Sequence, residues 1–208
     1  MKPDAVVLLH GAWMNQWVMA YVTHALRREG FAARALTYST MTENLEDHLA
    51  QLTARIGALD APRVYLVGHS LGGVIALRYL QRQPDARVSR VVLLGAPVAG
   101  CRAAAALSRR SGGYFLLGRS LAVWREPVDV SLPAGVEVGV IAGTRAFGLV
   151  RMLVRLPPPN DGVVCVDETR LPAMRDRLVL PLAHSEMLVS PLAARQTAAF
   201  LRTGAFQR

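Results

Sequence analysis

An α/β fold is predicted by three observations: a mainly parallel sheet of about six strands, covered by helices on both faces as a three-layer sandwich. Short, continuously apolar runs alternate along the chain with amphipathic runs. The apolar runs lack the strict alternation with polar residues that a half-exposed strand shows, so both of their faces are buried. The amphipathic runs between them carry apolar residues at helical spacing, which is the pattern of strand–helix–strand units.

Taken in order, Ala5–Leu9 is the first strand, and residues 16–29 follow with Trp17, Tyr21, Ala25 and Leu26 on one helical face. Residues 32–38 read as the second strand. The next helix places Leu45, Leu49, Leu52 and Ile56 on one face, with Thr40 and Glu43 spaced like a capping box. Residues 63–67 form the third strand, and Leu71–Arg82 its helix, stopped near Pro84. Val88–Leu94, 136–142 and 177–182 supply three more strands. A last helix starts at Ser190-Pro191, an N-cap followed by proline at the first helical position, and ends near Gly204.

Two stretches interrupt the alternation. Residues 99–133 contain the apolar segments 103–107, 114–117 and 121–124 and exceed what a crossover needs, so they are expected to form a small helical cap. An ordinary crossover helix with a loop is the other reading. Within 146–160, residues 149–156 have helical character up to Pro157-Pro158-Pro159.

At 208 residues, with 52% hydrophobic content, the chain suits a single domain with a substantial core. No apolar run reaches the roughly 18 residues of a membrane span. Only Lys2 precedes Asp4, and a core strand follows at once, so no secretory signal is read and a cytoplasmic location is expected. The formal charge of +9 comes from arginines scattered along the chain, without the clusters and interleaved aromatics of a nucleic-acid module. Nucleic acid is therefore not expected as a partner, whereas peripheral contact with an anionic membrane surface or an anionic substrate stays open. Cys101 and Cys165 lack metal-ligand spacing and read as small buried side chains. No residue set calls for a metal or a cofactor.

The chemistry starts at Gly68-His69-Ser70-Leu71-Gly72, preceded by the strand-forming Val64-Tyr65-Leu66-Val67 and followed by a helix pattern. Strand, Gly-x-Ser-x-Gly, helix is the layout of a nucleophile elbow, in which the serine sits strained at the apex of a sharp turn. The flanking glycines keep a Cβ out of the strand–helix junction. Ser70, His10-Gly11, Gly95-Ala96-Pro97, Asp161 and His184 all come shortly after strand-like segments, so they are expected along the carboxyl edge of the sheet, where such folds bind ligands.

The set His10-Gly11, Gly68–Gly72, Asn160-Asp161-Gly162 and His184 resembles an α/β-hydrolase, in particular the small bacterial esterases and lipases with a minimal sheet. The resemblance spans nearly the whole chain, is weakest in 99–133, and includes the order serine, acid, histidine. It implies a serine hydrolase of carboxylic esters acting through an acyl-enzyme at Ser70. A serine hydroxyl needs an adjacent base, and of five histidines His184, after the last strand, fits that place. Asp161 is expected to orient the imidazole, with Asp167 and Glu168 as its competitors. The oxyanion donors implied are the amides of Leu71 and Ala12, with Trp13 as the alternative to Ala12. Trp13, Met14 and Trp17, with Leu116 in the expected cap, are candidates for an acyl-binding groove; ordinary core packing is the other reading. His10 is expected to shape its loop, His69 to pack against a neighbouring strand, and His24 and His48 to be solvated. Acyl transfer, thioester hydrolysis and a silent ligand-binding role use the same fold and are not separated by the motifs. Neither the particular small-molecule or lipid ester nor the oligomeric state is readable.

Overall fold

Six parallel strands form one sheet: β1 (Ala5–Leu9), β2 (Ala32–Ala35), β3 (Val64–His69), β4 (Val88–Leu94), β5 (Glu137–Gly143) and β6 (Asp176–Leu180), in the order β2-β1-β3-β4-β5-β6. The computed structural model describes residues 2–110, 112, 118–120, 123, 128 and 131–208. The order follows from how the chain is used: after β2 it returns to the other side of β1, so the strand order reverses between β1 and β3. Their carboxyl ends lie in register there, with Leu9 opposite Gly68. In open parallel sheets this reversal leaves a crevice beyond the strand ends.

Alternate residues of the central strands β1, β3, β4 and β5 feed two cores. Ala5, Val7 and Leu9 of β1 face one core, which also takes in α2 (Leu45–Gly57) and α3 (Leu71–Arg82). Val6 and Leu8 face the other, with Met19, Val22 and Leu26 around α1 (Ala20–Arg28) and Phe200 of the last helix, α5 (Pro191–Thr203). At about 25 cal/mol per Å² of apolar surface removed from water, burial on both faces is what stabilises the unbroken apolar strands. Phe200 lies so close over Gly139 that a side chain on β5 there would collide with its ring.

Several boundaries differ from expectation. The first helix opens as a 3-10 turn, Gln16–Met19, capped by the Asn15 side chain. β2 stops at Ala35, and Tyr38 turns inward instead, where its hydroxyl donates to the His10 carbonyl. The capping box of α2 is formed by Asn44 and Asp47, not by Thr40 and Glu43. Thr40 instead accepts the Trp13 amide, and Glu43 accepts the Ser39 amide. His48 is buried rather than solvated, because its ring lies against Tyr38 at 4.9 Å between centroids. His24 is exposed, as expected. α5 is capped by Ser190 and ends on left-handed Gly204. Residues 149–156 hold a single helical turn, Val150–Leu153.

Of the stretch expected as a cap, α4 (Arg102–Ser108) buries Ala103, Ala104 and Leu107 in the α2–α3 core, and Val123 and Val128 reach the same core. Most of the remainder, including Leu116, lies outside the described residues.

Candidate active site

β3 ends at His69, and Ser70 turns the chain into α3 with φ 53° and ψ −123°. That is a left-handed backbone on a side-chain-bearing residue, a conformation that costs on the order of 1–3 kcal/mol and is held by its surroundings. The surroundings are the flanking glycines. A Cβ on Gly68 would overlap the Gly73 backbone, and one on Gly72 would overlap the Leu9 and His10 carbonyls of the neighbouring strand end. The Ser70 amide is tied to the Leu94 carbonyl at 2.9 Å, which fixes the turn against β4. The Leu71 amide is the first of α3, a position without an intrahelical acceptor.

Beyond β5, the Asn160-Asp161-Gly162 turn is closed by the Asn160 side chain, which accepts the Gly162 amide at 2.9 Å. Asp161 is buried, and each carboxylate oxygen is used. Oδ1 accepts the amides of Val163 at 2.9 Å and Val164 at 2.7 Å, and Oδ2 meets His184 Nδ1 at 2.8 Å. The His184 amide also donates to the Asp161 carbonyl at 3.0 Å. Facing a carboxylate, Nδ1 carries the ring proton, which leaves Nε2 as the basic nitrogen. Asp167, by contrast, is exposed and paired with Arg102, which holds its carboxyl below the usual range.

Gly95 joins the serine to this pair. It directly follows Leu94, the acceptor of the Ser70 amide, and its own amide donates to Ile141 of β5 at 2.9 Å. A Cβ on Gly95 would lie 3.1 Å from both Asp161 Oδ2 and His184 Nδ1, at a φ of +56°. Sequence reasoning assigned this glycine no role; the signals available were its place one residue past a strand end and the Gly95-Ala96-Pro97 run itself.

His69 sits beneath the same pair. Its Nε2 donates to the His184 carbonyl at 3.1 Å, and the two rings lie 4.6 Å apart. Burial, reinforced by repulsion from His184, pulls its pKa down to about 3, so the ring is neutral. His69, expected to pack against a neighbouring strand, packs instead against the loop that carries His184. Gly11 faces both neighbours: a Cβ there would be 3.1 Å from His69 Nδ1 and 3.2 Å from Ser70 Cβ.

The loop after β1 is braced from the segment after β2. His10 is fully buried, stacked on Tyr38 at 4.0 Å, with Nδ1 bonded to the Gly11 carbonyl at 2.9 Å. Trp13 has φ 59°, and its amide donates to Thr40 Oγ1 at 3.0 Å. Among the described residues the Ala12 amide donates no hydrogen bond. Thr40 and Tyr38 were not singled out for the site from sequence, because their partners lie 27 and 28 residues earlier. Met14 packs partly into the core, whereas Trp13 and Trp17 are exposed. Among the described residues Cys165, Asp167 and Glu168 come close enough to share a metal ion. Their oxygens are already engaged, Asp167 by Arg102 and Glu168 by the amides of Arg102 and Cys165.

A strained serine after the third strand, a buried carboxylate–imidazole pair after the fifth and sixth, and a braced loop after the first all meet one sheet edge. The model of the alpha/beta hydrolase family matches residues 6–206. The chain belongs to the alpha/beta hydrolase family. Among solved structures it is similar to a metagenomic carboxyl esterase, with a TM-score of 0.72 and 18% identity over 88% of this chain. The chain spans 65% of that esterase's length. It is also similar to a pyrethroid hydrolase from Sphingobium faniae JZ-2, with a TM-score of 0.69 and 15% identity over 97% of this chain and 98% of the other. Carboxylesterase CesB from Bacillus subtilis gives 0.58 and 18% over 97% and 84%. At such identities the likeness is one of fold. Among curated proteins, none matches the sequence.

Proposed function

We propose that this alpha/beta hydrolase is a serine carboxylester hydrolase, with Ser70 as nucleophile, His184 as base and Asp161 as the orienting acid. The observation that carries the reading is the buried Asp161–His184 pair at 2.8 Å, joined through Gly95 to the strained Ser70. In the first half-reaction His184 Nε2 takes the Ser70 proton as Oγ attacks the ester carbonyl. The same proton then passes to the departing alcohol as the carbon–oxygen bond breaks, leaving Ser70 acylated. Water, deprotonated by His184, releases the acid in the second half. Asp161 stabilises the imidazolium that forms in each half and is itself fixed by two amides.

The oxyanion is assigned to the amides of Leu71 and Ala12. Trp13 is set aside as the alternative, since its amide is spent on Thr40. Each such donor is worth roughly a hundred- to a thousandfold in rate. The esterases among the structural neighbours support an ester as substrate, and Trp13 and Trp17 are proposed to contact its acyl part. The test is turnover of p-nitrophenyl esters of graded chain length by the wild type and Ser70→Ala. The reading expects loss of several orders of magnitude in the variant at every chain length; undiminished turnover by Ser70→Ala would reject it.

A further inference from the structure

Large hydrophobic side chains left in water on this molecule are not scattered. Among the described residues, all but Tyr21 and Val179 lie on segments that leave the carboxyl ends of strands. Trp13 and Trp17 follow β1, Met41 follows β2, and Val189 follows β6. The densest group follows β5, where Phe147, Leu149 and Met152 are 71%, 80% and 82% exposed. That is the edge on which Ser70 and the Asp161–His184 pair sit. The β5 segment touches the site directly, because the Phe147 carbonyl packs where a Gly162 side chain would be, next to Asp161. Exposing this much apolar surface at one edge is costly for a protein that meets only water.

The charge of the same segment is one-sided. Between Thr144 and Asn160 the chain has Arg145, Arg151 and Arg155 and no acidic residue. Arg145 is paired with Glu186, whereas Arg151 donates to the Ala146 carbonyl at 3.1 Å, and neither Arg151 nor Arg155 has a carboxylate partner among the described residues. Apolar side chains interleaved with arginines that have no carboxylate partner match the boundary of an anionic bilayer, where the former enter the acyl region and the latter meet headgroup phosphates. A second copy of a chain carrying +9 would oppose like charges at this face. Nucleic acid would favour aromatic stacking over Leu149 and Met152.

We infer that the carboxyl edge of the sheet docks on an anionic lipid surface through the segment 145–155, so that an ester can reach Ser70 from the membrane. This deepens the esterase reading and rests on it only for the fate of the ester; the docking itself is independent of Ser70. The test is co-sedimentation of the chain with vesicles of phosphatidylcholine alone or mixed with phosphatidylglycerol. The expected result is binding to the mixed vesicles that falls as salt is raised. Arg151→Gln/Arg155→Gln should weaken it roughly thirtyfold, at about fivefold per arginine removed from the surface. Leu149→Ser/Met152→Ser should weaken it too, while both double variants keep turnover of a water-soluble short-chain ester. Equal binding by wild type and variants, or equal binding to neutral and anionic vesicles, would overturn the inference. So would self-association, seen by sedimentation equilibrium, that the Leu149→Ser/Met152→Ser variant abolishes. Ser70→Ala should bind vesicles like the wild type, so that failure of docking and failure of the esterase reading are read separately.

Discussion

Asp161 holds His184 at two points: its carboxylate Oδ2 binds Nδ1 at 2.8 Å, and its carbonyl accepts the His184 amide at 3.0 Å. The ring and its backbone are therefore located by one residue, whose other oxygen is in turn located by Val163 and Val164. Asp161→Asn keeps an oxygen for those two amides and the main-chain bond, yet presents an amide where a charge is needed. The expected outcome is a fall in kcat of roughly a thousand- to ten-thousandfold with little change in folding stability, read from ester turnover and urea titration. A fall of less than tenfold would mean that another group supports the imidazole.

The strain at Ser70 predicts that the site is kept at the expense of stability. Ser70→Gly relieves the left-handed backbone, whereas Ser70→Ala retains it. Strain relief of about 1–3 kcal/mol, less about 0.5–1 kcal/mol for the freedom glycine gains in the unfolded chain, leaves Ser70→Gly about 1 kcal/mol more stable than Ser70→Ala. Denaturant midpoints of the two variants give the difference; a less stable glycine variant would contradict the strain.

The bond from the Trp13 amide to Thr40 predicts a positioning role for Thr40 in the loop that carries Ala12. Thr40→Val keeps the shape and removes the acceptor, and a loop displaced by a fraction of an ångström is expected to lower kcat roughly tenfold or more. KM should change less than kcat, and Thr40→Ser should restore the rate. If Thr40→Ser behaves like Thr40→Val, the hydroxyl is not what holds the loop.

Buried neutral histidines set the acid limit of the fold. His69 titrates near 3 in the folded protein because burial opposes its charge, against about 6.5 in the unfolded chain. Between those values the unfolded chain binds more protons, so the stability contributed by the neutral ring is complete above pH 6.5 and is lost as pH falls toward 3. Burial lowers His10 and His48 in the same direction. His69→Gln keeps a donor for the His184 carbonyl and removes the titration. The drop in urea midpoint from pH 7 to pH 5 is expected to be smaller in this variant than in the wild type, and equal drops would exclude His69 as a contributor.

Much of the fold was legible because the central strands bury apolar residues on both faces: β1 and β4 have the bounds expected of them, and the helix faces follow their apolar stripes. Local pattern misled where one residue type serves two purposes. Thr40 and Glu43 have capping-box spacing, yet Asn44 and Asp47 have it too, and only tertiary contact with Trp13 shows what Thr40 does. His48 lies on a polar-looking helix position and is buried because Tyr38 leaves β2 to cover it. Asp161 and Asp167 are six residues apart in the connection between β5 and β6; Arg102, remote in sequence, engages one and leaves the other to His184.

The central claim is that Ser70 is the reacting nucleophile. Its most direct test is mass spectrometry of the protein after treatment with a fluorophosphonate, which phosphonylates an activated serine with loss of fluoride. One adduct per chain is predicted, on the peptide containing Ser70, at a rate that falls in Asp161→Asn and His184→Ala and with no adduct in Ser70→Ala. An adduct on another residue, or persistent esterase activity in fully labelled protein, would contradict it.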